Sequence, residues 1–259
     1  METLSLDMLL LLTVAAFVAA FIDSTVGGGG LISLPALLFA GLPPQLALGT
    51  NKLSASFSSL TSTVSFLFSG KIDRKLVLAL FPVSFIGSAL GTYTVTLLPS
   101  GFLKPLVVIL LTVMTVYTLA RKNWGMRSAY KGLTFKTAAM TGLATFAIGF
   151  YDGFFGPGTG SFFIFVMLLT GFDFLFAAGN AKVLNFASNL ASLIMFGALG
   201  SIHYGYGIPM GIAMIAGALA GSRVAIRKGT AYVKPLFIAV TAILIGKQLW
   251  DLIAPPHHW

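Results

Sequence analysis

Eight apolar stretches of about 20 residues follow one another along this chain, near 8–26, 46–69, 76–98, 102–120, 137–155, 175–200, 207–226 and 232–252. Two shorter apolar pieces lie at 31–40 and 161–170. About 20 apolar residues is the length of helix that crosses the hydrocarbon core of a bilayer. The connections are short, and the one long polar stretch is 121–136. Only 23 of 259 residues are charged, or 9%, whereas soluble domains carry about 25%. Such a chain cannot clothe itself for water and must be solvated largely by lipid. That excludes a cytosolic enzyme, a nucleic-acid-binding domain and a secreted disulfide scaffold. No Cys is present, so disulfides, thiolate metal sites and Cys nucleophiles are absent. The first apolar stretch is preceded by Glu2 and Asp7 and by no Lys or Arg. That is the wrong sign for a signal peptide, and a retained first membrane helix is expected.

The two halves of the sequence match each other. Under a shift of 130 residues Gly41 meets Gly171, Gly49 meets Gly179, Lys52 meets Lys182, Ser58 meets Ser188 and Ser62 meets Ser192. Gly87-x-x-x-Gly91 meets Gly217-x-x-x-Gly221, and Lys104-Pro105-Leu106 meets Lys234-Pro235-Leu236. Under a shift of 129 Phe21 meets Phe150, Asp23 meets Asp152, Gly27 meets Gly156 and Gly29 meets Gly158. The slip of one falls inside a glycine run, where an insertion disturbs least. A shared preference for Leu and Ala does not produce matches of Gly, Asp and Lys-Pro. The sequence therefore divides into a first repeat over 1–120, a basic linker over 121–136 and a second repeat over 137–259, the signature of a two-repeat transporter.

The basic residues favour an inverted pair. Four simple spans per half, with the N-terminus inside, place 9 basic residues in the cytoplasm and 5 outside. If the broken first segment of each half enters and returns, and the N-terminus lies outside, 12 become cytoplasmic and only Lys104 and Lys247 lie outside. The second arrangement obeys the positive-inside bias far better. It also explains the net charge of +9 as loop bias rather than a nucleic-acid footprint. Residues 31–40 would span only about 15 Å as a helix, so the return is partial. The expected fold is an all-α, polytopic membrane protein. About eight transmembrane segments form two homologous, inverted four-segment repeats, with the first segment of each broken at a glycine loop.

Four charges lie inside the apolar stretches, Asp23, Lys52, Asp152 and Lys182, and all four are repeat-matched. A charge in a membrane segment costs roughly 2.5–3.5 kcal/mol on insertion scales and normally faces a cavity or a partner. One reading makes Lys52 and Lys182 counter-charges for an anionic substrate, with Asp23 and Asp152 as proton-coupling groups or loop anchors. A second makes two structural Asp–Lys pairs. A third has each Lys snorkelling to the surface.

Asp23 and Asp152 each precede a glycine run, Gly27-Gly28-Gly29-Gly30 and Gly156-Pro157-Gly158-Thr159-Gly160. Non-helical backbone at membrane depth must be buried in protein or line water. It frees N–H groups, and helix N-termini bind anions. Two such breaks facing each other would frame one central anion site; the plainer alternative is a tight turn that lets helices approach closely. No Gly-Lys-Ser/Thr follows either run, so neither is a Walker loop. Polar residues cluster beside the lysines: Thr50, Asn51, Ser54, Ser56, Ser58 and Ser59 near Lys52, and Asn180, Asn185, Ser188 and Asn189 near Lys182. They could line a hydrophilic cavity or serve as interhelical polar glue. Gly87-x-x-x-Gly91 and Gly217-x-x-x-Gly221 predict close helix packing. Trp250, Trp259, Tyr204 and Tyr206 read as interface anchors. His203, His257 and His258 sit at a loop or the tail, which argues against a metal cluster and against an intramembrane serine protease. No metal or cofactor is expected, and the chain does not read as an enzyme.

These residues are similar to a known family. Asp23 to Gly30 (Asp-Ser-Thr-Val-Gly-Gly-Gly-Gly), followed by Leu-Ile-Ser-Leu-Pro-Ala-Leu-Leu, Gly-Leu-Pro-Pro and Gly49-Thr50-Asn51-Lys52-Leu53, resembles the TauE/SafE, or sulfite exporter (TSUP), family of membrane permeases. The second half, Gly149-Phe150-Tyr151-Asp152-Gly153-Phe154-Phe155-Gly156-Pro157-Gly158 and Asn180-Ala181-Lys182-Val183-Leu184-Asn185, resembles its second repeat, especially the YfcA-like branch. The resemblance covers nearly the whole chain. It implies a multi-pass bacterial inner-membrane permease for sulfite, sulfonates or related sulfur-containing organic anions. The second loop has Gly-Pro-Gly-Thr-Gly in place of four glycines, so the two half-sites are not expected to meet substrate equivalently.

The resulting expectation is a secondary transporter working by alternating access. Gly27, Gly28, Gly29, Gly30, Asn51, Lys52, Gly156, Gly158, Lys182, Asn185 and Asn189 would hold the anion, and Asp23 or Asp152 would couple protons. Its partners are the lipid bilayer and the anion, with a homodimer compatible and no nucleic acid. A passive anion channel and a non-transporting accessory subunit are the alternatives.

Overall fold

The computed structural model describes residues 6–97, 130, 132, 134–229 and 231–232. The expected segments 102–120 and 232–252, most of the linker, Lys104, Lys247, Trp250, Trp259, His257 and His258 lie outside the described residues. Within them the chain is helical throughout: α1 Leu6–Val26, α2 Gly30–Phe39, α3 Pro44–Phe68, α4 Arg74–Thr96, α5 Phe135–Phe154, α6 Thr159–Leu169, α7 Phe174–Ala198 and α8 Tyr204–Lys228. The starts are chemically marked. Pro44 occupies the first turn of α3, where a missing N–H costs nothing. Asp73 caps α4 through Leu76 N, and Asp173 caps α7 through Leu175 N and Phe176 N.

Four of these helices, α1, α4, α7 and α8, are long and apolar enough to cross a membrane. Helices α3 and α5 have 25 and 20 residues but do not meet that apolar standard. In α3 the reason is its row of interior hydroxyl and amide groups, Thr50, Asn51, Ser54, Ser58 and Ser62, all buried. Helices α2 and α6 are short, at 10 and 11 residues. The surface is inverted relative to a soluble protein: Leu6, Leu10, Phe68, Leu78, Leu143 and Ile212 are exposed, while Lys52, Lys182, Asn180 and many Ser and Thr are buried.

Helix α1 packs on α8 and α4 on α5; α3 packs on α8 and α4 on α7; α3 and α7 pack on each other. The short helices follow suit, α2 lying on α1 and α3, and α6 on α5 and α7. Exchanging α1–α4 with α5–α8 maps this set of pairings onto itself. Glycines make the tightest crossings. A Cβ at Gly87 or Gly91 would strike the α5 carbonyls of Phe146 or Phe150, and one at Gly217 or Gly221 the α1 carbonyls of Phe17 or Phe21. Both GxxxG pairs thus mark close backbone approach, as their spacing predicts. Hydroxyls cross-link α4 to α7: Ser84 Oγ donates to Leu184 O at 2.8 Å and Ser88 Oγ to Ser188 O at 2.6 Å.

Candidate functional site

Both glycine runs break the helical path. Gly27 and Gly28 adopt φ of +80° and +92°, and Gly156 and Gly158 adopt +99° and +89°, conformations that only glycine enters without strain. Helix α2 then starts at Gly30 and α6 at Thr159, so each short helix begins inside the run. Asp23 Oδ1 accepts a hydrogen bond from Gly29 N at 3.2 Å and ties the first loop to the end of α1. The second loop is tied differently: Tyr151 Oη donates to Pro157 O at 2.7 Å and Thr159 Oγ1 to Gly156 O at 2.6 Å. The loops touch each other. Ser161 Oγ donates to Val26 O at 3.0 Å, and a Cβ on Gly160 would come within 2.9 Å of Gly27 Cα. The first glycine run and the N-terminal turn of α6 therefore meet. Gly28, Gly158 and Gly160 are buried there, and among the described residues their N–H groups donate no hydrogen bond within the chain.

The four embedded charges pair across the two halves. Lys52 Nζ on α3 lies 2.8 Å from Asp152 Oδ1 at the end of α5. Lys182 Nζ on α7 lies 2.8 Å from Asp23 Oδ2 at the end of α1. The two Lys side chains are 2% and 0% exposed, which overturns the snorkelling alternative. A buried ion pair gives back little net stability, because desolvation offsets the attraction, but removing one partner costs about 3–5 kcal/mol.

The two pairs are not equivalent. Lys182 also donates to the backbone oxygen of Asp23, and Asp23 Oδ1 is engaged with Gly29. That pair is saturated on the carboxylate side. Asp152 Oδ2 is buried and has no hydrogen-bond partner. Lys52 carries three ammonium donors, of which the Asp152 carboxylate takes one.

A cavity enclosing about 430 Å³ of atom-free space, mouth included, opens on the first side of this asymmetry. It is walled by Asp23 from α1, by Gly28, Gly29, Gly30 and Ser33, and by Asn51, Lys52 and Ser58 from α3. The other half contributes Asp152, Gly156, Gly158, Thr159, Gly160, Asn185 and Asn189. Of the residues expected from sequence, Gly27 and Lys182 do not line it; the others do. Gly27 instead lies under Gly160, and Lys182 is sealed behind Asp23. Asn180, from the polar cluster, accepts from Asp73 N at 2.8 Å and is interhelical glue. Asn185 Oδ1 accepts from Asn189 Nδ2 at 3.1 Å, so the two amides hold each other at the wall.

Sequence reasoning missed Ser33, whose Oγ donates to Asn51 Oδ1 at 2.6 Å and fixes that amide. Its one signal is a Ser in an apolar stretch, one turn after the glycines. Tyr151 was missed as well, because its hydroxyl acts on the loop six residues on. The donors at the cavity wall are Lys52, already paired, the N–H groups of the glycine runs, and a few amides and hydroxyls. The described residues contain no group of three or more His, Asp or Glu that could hold a metal.

The family profile described as "Sulfite exporter TauE/SafE" matches residues 12–247. The chain is 39% identical to "Probable membrane transporter protein ORF9" of Sinorhizobium sp., across 100% of this chain and 99% of the relative. It is 36% identical to a "Probable membrane transporter protein" of Haemophilus influenzae, across 96% and 97%. It is 35% identical to "Probable membrane transporter protein YfcA" of Escherichia coli K12, across 91% and 87%. No solved structure matches the chain. With a cavity at the junction of two broken helices, the loops that carry the resemblance built into its wall, and full-length relatives named as membrane transporters, the chain belongs to the sulfite exporter TauE/SafE family of membrane transporter proteins.

Proposed function

We propose that the chain is a secondary permease of the bacterial inner membrane that moves a small anion, namely sulfite, a sulfonate or a related sulfur-containing organic anion, by alternating access. The observation that carries this reading is the cavity onto which the first turns of α2 and α6 and the buried Lys52 all open. A helix N-terminus presents free N–H groups and about half a positive charge, and paired half-helices aimed at a substrate are a recurring transporter device. In this reading α1–α4 and α5–α8 belong to two inverted repeats joined by the linker 121–136 on the cytoplasmic side. The repeats rock about the cavity, which alternately opens to each face. The exchange symmetry of the helix pairings supports it, as do the family's description and the cross-repeat charge pairs. Movement of a proton with the anion is part of the proposal, through Asp23 or Asp152.

The test is flux of radiolabelled sulfite, thiosulfate and sulfoacetate into proteoliposomes of the purified chain, with and without an imposed pH gradient. A permease gives saturable flux that runs uphill when a gradient drives it. Non-saturating, strictly downhill flux makes the protein a channel, and no flux of any of these solutes makes it an accessory subunit.

A further inference from the structure

The two charge pairs have the same composition and the same length, and a carboxylate of each lines the cavity, yet only one leaves a carboxylate oxygen without a partner among the described residues and only one turns its lysine to the cavity. We infer that Lys52–Asp152 is an exchange pair, in which an anion entering the cavity takes Lys52 from Asp152 and Asp152 takes up a proton in return, whereas Lys182–Asp23 is a fixed latch. The inference rests on the anion-carrier reading and adds to it which carboxylate moves the proton and why the two movements are linked.

The argument starts from Lys52. It lines the cavity beside Asn51 and Ser58, and among the described residues the Asp152 carboxylate is its one salt-bridge partner. An anion of any kind in this cavity competes for that ammonium. Once Lys52 turns to the anion, Asp152 is left as a carboxylate with its side chain 3% exposed and no second cation of its own. Its Oδ2 already lacks a partner among the described residues while the pair is intact, so no donor stands at that oxygen to replace Lys52. A carboxylate stripped of its counter-charge in such a place neutralises by binding a proton rather than remaining ionised. The proton comes from water in the cavity, forms an O–H bond on Asp152, and leaves when the anion departs and Lys52 returns. One anion and one proton thus occupy the site together and cross together, the O–H bond made on Asp152 replacing one broken in a hydronium ion of the cavity water and the reverse transfer occurring on release.

The surrounding groups leave that carboxylate as the acceptor. Helix α4, packed along α5, commits its hydroxyls elsewhere, Ser84 to Leu184 O and Ser88 to Ser188 O on α7, and Thr92 to Gly153 O. On α5 itself Tyr151 is committed to Pro157. On α1, Asp23 keeps Lys182 through both its carboxylate and its backbone oxygen. Lys182 on α7 is fully buried and does not line the cavity, so an entering anion does not reach it. Gly156 sits over the exchange pair, with a Cβ there falling 2.9 Å from Lys52 Nζ, so an added side chain would displace the ammonium.

Calorimetric titration of the purified full-length protein tests this, with methanesulfonate and thiosulfate as probes because both stay fully ionised near neutral pH. Each is titrated in two buffers of different ionisation enthalpy, which counts protons taken up on binding. The expected result is one proton per anion, with affinity falling about tenfold per unit rise in pH where free Asp152 is ionised. Asp152→Asn should bind without proton uptake, lose the pH dependence and gain affinity, because the competing carboxylate is gone. Binding to the wild-type protein without proton uptake overturns the exchange, and this readout needs no variant to fold. Uptake that persists in Asp152→Asn overturns the assignment to that carboxylate while leaving the anion carrier standing. Absence of both binding heat and flux for every anion tried overturns the carrier reading and the exchange with it.

Discussion

Lys52 and Asp152 stand 100 positions apart in the chain and 2.8 Å apart in the fold, and the contact joins α3 of the first half to α5 of the second. Lys182 and Asp23 repeat the relationship in the opposite sense. Each half supplies the cation of one pair and the anion of the other, so neither half is electrically complete in its interior without its partner. The two pairs also make different demands on their surroundings, and substitutions should separate them.

Lys52→Met is expected to abolish anion binding and lower stability by about 3–5 kcal/mol, because it strands the Asp152 carboxylate. The double variant Lys52→Met with Asp152→Leu removes both charges and should regain most of that stability while remaining unable to bind. Thermal melting in detergent, alongside sulfite binding, separates the two effects. Anion binding that survives in the double variant would show that Lys52 is not the counter-charge.

Lys182→Met should cost a similar amount of stability, leaving Asp23 without its cation, and a companion Asp23→Leu should restore much of it. Because Asp23 Oδ1 also holds Gly29 N, the recovery is expected to be incomplete. A double-mutant cycle on melting temperature measures the coupling. A coupling energy near zero would mean that the cross-half contact holds nothing together.

Gly156→Ala places a methyl group 2.9 Å from Lys52 Nζ and demands φ of +99° from a residue with a Cβ. Transport should fall at least tenfold, an order of magnitude set by roughly 1–2 kcal/mol of left-handed strain plus the contact. Gly41→Ala is the control, since φ there is +84° but nothing lies within 4 Å of the added Cβ. Comparable flux losses in the two variants would assign the effect to backbone strain alone.

Ser58→Ala removes a buried hydroxyl that lines the cavity and makes no hydrogen bond in the fold. Stability should be unchanged or slightly higher, because no partner is orphaned and an unsatisfied group is gone. Anion affinity should drop by about 1 kcal/mol, or roughly fivefold, if the hydroxyl donates to bound substrate. Titration of sulfite against wild type and variant reads this directly, and equal affinities would remove Ser58 from the binding set.

Much of this molecule is legible in its amino-acid order. Scarcity of charge dictates lipid as the solvent, and for the described helices apolar runs of helical length give the segments to within a few residues, since burial of backbone hydrogen bonds in lipid leaves a helix as the economical choice. Gly27, Gly28, Gly156 and Gly158 mark the breaks, because only they accept the required φ. The rarity of embedded charge points to Asp23, Lys52, Asp152 and Lys182 without any structure. What the order of residues does not contain is which Asp meets which Lys. That depends on how α3 and α7 cross, and side-chain hydroxyls such as Ser84 and Ser88 and the glycine contacts of α4 and α8 set that crossing through interactions distant in sequence. The same packing decides that Lys52 faces the cavity while Lys182 is sealed behind Asp23, though the two lysines occupy matched positions in their halves. Identical charges in matched places become unequal only through their neighbours: the first loop gives Asp23 a backbone donor at Gly29, whereas the matched Gly158 of the second loop gives Asp152 none, and its Oδ2 has no partner among the described residues.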